Sequence, residues 1–396
     1  MDSEDQNPFR ARLDELRERD RLRAVAGWVG LPGKYLERDG RRCLNLSSND
    51  YLCLSAHPGV RRAAAEAALS LGTGAGGSRL LGGGLPIHRE LETAVAALRP
   101  LGKALLFNTG FMANAGALPA LSQVLGPIFS DKMNHASMSE AMRALPRGFH
   151  RYRHRDLGHL ESLLATVKRE GPGLVCSETL FSMDGDKADV AGLLRLQARY
   201  GFWLFLDEAH STGCLPEAVA PALMQARETG RILIMGTFGK AYGGFGAYLA
   251  GPAEAIDWLV NSARSFIFST ALPPAVAGAA LESIRVAEEE PWRRERLAAI
   301  AAYARGLFRS RGFDIGSSES HIVPVIAGSD RAALRLSEAL YHAGYHAPAV
   351  RPPTVPEGAA RLRINLTCEI EEKEIDALAD EISGALDESA NEAGDG

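Results

Sequence analysis

Several stretches of this chain carry side chains whose types and positions suit covalent and proton-transfer chemistry. GTFGKAYGG (236–244) sets Lys240 in a glycine-lined loop directly after an apolar run. A lysine held in so tight a loop can act as a nucleophilic amine and form a Schiff base with a carbonyl compound. Taken alone, a loop lysine is more often a solvated surface group. FLDEAHSTG (205–213) places Asp207 and His210 at the end of another apolar run. An acid there needs a cationic partner, or else serves as a helix N-cap. DKMNHASM (131–138) carries His135, and SETLFSMDGD (177–186) carries Glu178 and Ser182. FNTGFMAN (107–114) leads from a strand-like run through Thr-Gly into a helix-forming segment. The free N–H groups of such a helix start make an anion seat. Each signal is weak in isolation.

The elements around them make the set stronger. Short apolar runs occur at KALLFN (103–108), GPIFSD (126–131), GLVCSE (173–178), FWLFLDE (202–208), RILIMGTF (231–238) and GAYLAG (246–251). They alternate with helix-like segments such as DLGHLESLLATVKRE and VAGLLRLQARYG. That alternation predicts an α/β fold with a mainly parallel sheet covered on both faces. All the residues named so far fall at the C-terminal edge of that sheet, where open α/β sheets place their ligands. Residues 9–25 read as one surface amphipathic helix, 58–70 as a second, and 288–312 as one long helix. HIVPVIAG (321–328) and RLRINLT (361–367) read as strands of a smaller C-terminal α+β domain. The expected division is an N-terminal helix and arm over 1–58, a large domain over 59–280 and a small domain over 281–396. The tail ESANEAGDG is expected to fray.

Two glycine patterns are decoys. Gly72, Gly74 and Gly77 satisfy G-x-G-x-x-G, but an Ala-rich helix precedes them where a dinucleotide site needs a strand. The stretch reads instead as a flexible or tightly folded loop where backbone must approach something closely. The segment ending at Lys240 lacks the first glycine of a phosphate-binding P-loop, and Ala241 stands where that loop needs Ser or Thr. PRGFHRYRHRD, with Arg147, Arg151, Arg153 and Arg155, fits either an anionic partner or an exposed strand edge.

The 396 residues are 46 % hydrophobic and 23 % charged, ordinary for a globular chain that needs no staples. Forty-four basic against 49 acidic residues leave a net charge of −5, which disfavours a nucleic-acid binder. Five cysteines without CxxC or CxxH pairs argue against a disulfide framework or a metal site and fit a reducing cytoplasm. The charged N-terminus has no apolar signal-peptide core, and no run approaches the ~18 apolar residues of a membrane span.

A lysine, a carboxylate, a helix N-terminus and a flat histidine on one sheet edge are what pyridoxal phosphate requires. Lys240 lies 33 positions after Asp207, room for one helix and one strand. LSSNDYLCL, GTGAGGSRLLGG, FNTGFMANAG, NHASM, ETLFSMDGD, LDEAHSTG, GTFGKAYGG and FSTALPP span residues 45 to about 275. On these motifs the chain resembles the α-oxoamine synthases, pyridoxal-phosphate enzymes of the aspartate-aminotransferase fold type, with a seven-stranded large-domain sheet. RPPTVPEGAARLRINLT (351–367) extends the likeness into the C-terminal domain.

The resemblance implies that Lys240 holds the cofactor, Asp207 pairs with its ring nitrogen, His135 stacks on the ring and His210 bonds its phenolic oxygen. It implies phosphate contacts from Gly110, Phe111, Met112 and Thr237, and from Thr270 of a second subunit, with Glu178 and Ser182 lining the site. Arg351 would clamp the amino-acid carboxylate. Asn49, Arg23, Ser78 and Thr354 would meet substrate, with Gly76 and Ser78 on a loop facing the neighbouring subunit. No metal is implied. SSNDYLCL, GSRLLGG and RPPTVPEGAARLR resemble members that condense L-alanine with a pimeloyl thioester, carried by coenzyme A or an acyl carrier protein. The products of that reaction are 8-amino-7-oxononanoate, a biotin precursor, CO2 and free thiol. The alternative is another α-oxoamine synthesis, with glycine and acetyl-CoA or a different acyl chain. The family further implies a cytoplasmic homodimer with shared active sites, acting on small molecules and engaging neither nucleic acid nor membrane. Cys53 stands where the family more often has glycine, and CLPEAVAPALM (214–224) lacks a common glycine-rich continuation; both bear on the substrate entry channel.

Overall fold

A strand covered on both faces needs apolar residues at successive positions, because neighbours point to opposite sides of the sheet. The six apolar runs meet that demand. The computed structural model describes residues 7–30, 33–168, 171–215 and 229–394. In it the runs become β1 (Lys103–Phe107), β2 (Ile128–Asp131), β4 (Leu174–Glu178), β5 (Trp203–Asp207), β6 (Ile232–Thr237) and β7 (Ala247–Gly251), with His150–Tyr152 as β3. The seven strands lie in the order β1-β7-β6-β5-β4-β2-β3. All neighbours are parallel except β7, which runs antiparallel to β1 and β6. The basic stretch at 147–155 thus supplies the edge strand β3. Arg153 is paired with Asp156 and Arg155 with Asp186, so part of its charge is spent locally.

Alternation sorts the side chains into two cores. Phe205, Leu233, Met235 and Cys176 pack on one face with Ala113, Ala117 and Leu121 of the helix Gly110–Leu121. Leu204, Leu206, Ile232, Ile234 and Val175 pack on the other with Leu160, Leu164, Leu193 and Leu194. The chain divides into two compact units, one of residues 49–182 and 186–296, the other of residues 1–48, 183–185 and 297–396. The sheet belongs to the first. The second has a three-stranded antiparallel sheet, Ile322–Gly328, Ala360–Asn365 and Ala349–Val350. It also has a four-stranded sheet in which Tyr345 and His346 pair in parallel with Leu44 and Asn45.

Three element readings change. The N-terminal helix is Pro8–Glu18, shorter than 9–25; it stops before Asp20, whose φ is +55°. The expected long helix over 288–312 is broken at Pro291 into Pro274–Glu289 and Trp292–Ser310, because proline has no N–H to continue the ladder. The C-terminal helix runs Glu372–Gly394, so most of the tail stays helical. Residues 216–224 of CLPEAVAPALM lie outside the described residues. Among the described residues no helix is long and apolar enough to cross a membrane.

Of the two readings of the glycine stretch, flexible or tightly folded, the structure shows a tight loop. Leu81 and Gly83 N–H both donate to the Ser78 carbonyl, and a Cβ on Gly83 would sit 1.9 Å from the Gly77 oxygen. Cys53 is buried with φ +54°, a backbone that glycine adopts without strain.

The loop after β2 is pinned by a buried acid. Asp131 accepts the N–H groups of Met133 and Arg155 and one nitrogen of His154, whose other nitrogen bonds Asp186. Burial opposes the charge on His154, but hydrogen bonds to the two carboxylates outweigh it and raise its pKa to about 9. The folded state therefore holds a proton that the unfolded chain releases near 6.5. This contribution, of order 3 kcal/mol, is complete below that value and is lost as pH rises through about 9. Denaturant unfolding of wild type and His154→Gln should show a stability gap at pH 6 that closes by pH ~10; a gap independent of pH contradicts the ion triad.

Candidate active site

The strand register builds the site. Glu178 and Asp207 are Cα partners at the ends of β4 and β5, and Asp207 is the partner of Met235 on β6. Two carboxyl groups are thereby set side by side, both almost wholly buried. Thr237 ends β6, and its hydroxyl accepts the Gly239 N–H at 3.0 Å, shaping the turn into Lys240. The same loop packs closely at Gly243, where φ is +62° and a Cβ would lie 2.2 Å from the Ser55 nitrogen.

Gly110, Phe111, Asn114, His135, Ser137, Glu178, Asp207, Ala209, His210, Met235, Thr237 and Lys240 line one cavity of about 530 Å³. Eight of the positions read from sequence thus converge. The helix Gly110–Leu121 starts at this cavity with Thr109 as N-cap. The Thr109 hydroxyl takes the Met112 N–H at 3.1 Å, while the Gly110 and Phe111 N–H groups have no acceptor among the described residues. Such a start attracts an anion.

Asp207 is held by two neutral donors, the Asn114 amide and the Ala209 N–H, each at 2.9 Å. No cation forms an ion pair with it among the described residues. Asn114 also donates to the Ser137 hydroxyl at 2.9 Å, which meets His135 Nδ1 at 2.8 Å. The His135 N–H closes the arc by donating to Glu178 Oε1 at 2.6 Å. Burial, and then the adjacent Asp207 charge, push Glu178 well above the usual carboxylate range. Burial, together with the Lys240 charge, holds His135 below the ordinary imidazole value against the pull of Asp207. On the other side, Lys240 Nζ lies 2.6 Å from His210 Nε2, and His210 Nδ1 lies 2.7 Å from the Tyr51 hydroxyl. Tyr51 in turn donates to Asn49 Oδ1 at 3.0 Å.

The remaining sequence-derived positions are placed as follows. Ser182 is buried in the same unit and does not line the cavity. Ser78 and Thr270 face each other in an antiparallel bridge that ties the glycine loop to the 269–272 segment. Arg23, Arg351 and Thr354 belong to the other unit. There the nine-tenths buried Arg351 donates to the Asp20 carbonyl, Arg23 donates to the Pro352 carbonyl at 3.2 Å, and the Thr354 N–H bonds the Arg351 carbonyl at 3.1 Å. Asn114, Ser137 and Tyr51 were missed. Asn114 had a readable signal, since it lies one helical turn after Gly110 and so on the same face. Tyr51 had none.

The profile of the family described as aminotransferase class I and II matches residues 41–382. The chain belongs to that family. It is 41 % identical over 367 residues to the 8-amino-7-oxononanoate synthase of Geobacter sulfurreducens, covering 92 % of this chain and 94 % of that one. Against the 8-amino-7-oxononanoate synthase of Gluconacetobacter diazotrophicus the identity is 42 %, over 98 % of both. Among solved structures, a serine palmitoyltransferase of S. paucimobilis with bound PLP and myriocin superposes with a TM-score of 0.86 at 27 % identity, over 97 % of this chain and 98 % of that one. An 8-amino-7-oxononanoate synthase from Francisella tularensis shares the fold, with a TM-score of 0.72 at 24 % identity, over 88 % and 99 %.

Burial and the adjacent Asp207 charge both favour the protonated form of Glu178, which accepts one backbone N–H. Glu178→Gln should therefore leave thermal stability nearly unchanged, whereas Glu178→Ala strands the His135 N–H and should cost about 1–3 kcal/mol. Equal destabilisation by both, in thermal melts at pH 7, would mean that the group is ionised.

Proposed function

We propose that this chain condenses L-alanine with a pimeloyl thioester to give 8-amino-7-oxononanoate, CO2 and free thiol, using pyridoxal 5'-phosphate. Identity of 41–42 % over more than nine-tenths of the chain to proteins named for that product carries the reading. The cavity fits the cofactor on two structural counts. Asp207 is a buried carboxyl group with no cationic partner among the described residues, as a protonated ring nitrogen requires, and two N–H groups at a helix start, without an acceptor among those residues, suit its phosphate.

When bound, the cofactor supplies a carbonyl carbon for an amine and a cationic ring that accepts electron pairs released from Cα. The chain supplies the rest. Lys240 would provide the amine that holds the cofactor, and its Nζ would serve as the general base toward the α-proton. Asp207, its two oxygens held by Asn114 and the Ala209 N–H, would face the ring nitrogen. Gly110, Phe111 and Thr237 would hold the phosphate, with Met112 beside them and Thr270 contributed by a second subunit. His135 would stack on the ring, Glu178 would border it, and His210 would bond its phenolic oxygen.

Arg351 clamps the amino-acid carboxylate with its guanidinium fork, and Asn49, Arg23, Ser78 and Thr354 complete the substrate contacts. A cytoplasmic homodimer with shared sites completes the reading, with the acyl group arriving on coenzyme A or an acyl carrier protein. A second reading, a different amino acid and acyl chain, draws on the closer superposition with serine palmitoyltransferase.

Incubation with L-alanine and pimeloyl-CoA should release thiol and yield 8-amino-7-oxononanoate by mass. Thiol release with glycine or L-serine but not L-alanine favours the second reading. Asp207→Asn should lower kcat by about 10²-fold or more, since it removes a preorganised charge. Arg351→Lys should raise KM for the amino acid at least about tenfold while leaving KM for the thioester unchanged, because an ammonium cannot reproduce the bidentate contact.

A further inference from the structure

Three hydrogen bonds in line determine which nitrogen of His210 carries the proton. Asn49 Oδ1 and the Tyr51 oxygen are 3.0 Å apart, and an amide oxygen has no proton to give. The proton between them is the phenol's. Tyr51 has no second proton, so its 2.7 Å contact with His210 Nδ1 is made by an Nδ1–H that the phenol oxygen accepts. A neutral imidazole protonated at Nδ1 presents a bare lone pair at Nε2. That lone pair faces Lys240 Nζ at 2.6 Å, so the amine donates. The proton order runs from Lys240 to His210 to Tyr51 to Asn49.

We infer that Asn49 and Tyr51 are positioning residues that lock His210 in the Nδ1–H tautomer, so that Nε2 accepts a proton from the Lys240 amine. Neither is assigned such a role by the resemblance, which gives Asn49 to substrate and is silent on Tyr51. The lock deepens the proposed function by supplying a proton acceptor beside the amine on which that function rests. Tyr51 is fully buried, so its phenol cannot exchange these partners for bulk water. Phenol and imidazole are both amphoteric, and their line would run in either sense if nothing fixed an end. The amide oxygen of Asn49 fixes it, because it can only accept.

The test reads protonation directly and needs neither substrate nor cofactor, so it stands apart from the assay of the proposed reaction. Histidine-selective ¹⁵N labelling of the full chain, with His210 assigned by loss of its signals in His210→Gln, reports the tautomer at pH ~8.5, above the ordinary imidazole value. Wild type should show a protonated Nδ1 and an unprotonated Nε2. Asn49→Leu removes the acceptor at the end of the line, frees the phenol proton to turn to Nδ1, and should invert the pattern. Asn49→Asp keeps an acceptor-only oxygen and should restore it. Tyr51→Phe should leave His210 without a fixed tautomer. In the loaded enzyme, Asn49→Leu should lower kcat about tenfold or more, within the ~10²–10⁴ range of general acid–base assistance, and Asn49→Asp should recover most of it. A wild-type His210 protonated at Nε2, or an Asn49→Leu protein with the wild-type pattern and an unchanged melting point, overturns the inference.

Discussion

A carboxylate taken out of water costs several kcal/mol unless a counter-charge or hydrogen bonds replace the lost hydration. Asp207 has had its hydration replaced only in part. Asn114 and the Ala209 N–H satisfy its two oxygens, yet both donors are neutral, and the negative charge stays uncompensated beside a cavity. The next residue shows the contrast. Glu208 points to the other face of the chain, where Arg99 grips it at 2.9 and 3.1 Å and Tyr248 adds a bond at 2.6 Å. The fold thus neutralises one of two adjacent buried acids from within and leaves the other for a cationic ligand.

The other parts of the site follow from that asymmetry. Parallel register sets Glu178 beside Asp207, and the repulsion between them helps keep Glu178 neutral. Asn114 holds Asp207 and Ser137 together, so the helix that begins at the anion seat also fixes the acid at the other end of the cavity. Lys240 Nζ meets His210 Nε2 at 2.6 Å on the wall of the same cavity. The site is an arrangement of unfinished interactions, a free helix start, an unpaired acid and an amine with a proton acceptor, each awaiting part of one ligand.

Much of this was legible in the sequence for identifiable reasons. Strands such as FWLFLDE and RILIMGTF are apolar at consecutive positions because both faces are covered, and no helix surface reads that way. Their C-terminal ends point out Asp207, Glu178 and Lys240. The edge strand His150–Tyr152 reads as either an exposed strand edge or an anion site, because three residues with an arginine at the centre carry no apolar run. The N-terminal helix was overextended because Leu22 continues the apolar spacing, while the left-handed turn at Asp20 has no compositional mark. Ser137 and Tyr51 carry no signal because small polar and aromatic residues are common everywhere, and Asn114 is marked only by its spacing from Gly110. Their roles arise from partners distant in the chain, Tyr51 from His210 159 positions away.

The central claim is that the cavity bordered by Asp207 binds pyridoxal phosphate through Lys240. Borohydride reduction of the protein saturated with pyridoxal phosphate, followed by peptide mapping, tests it most directly. The account predicts one stable tag, on the peptide containing Lys240. A tag on another lysine, or none, contradicts it.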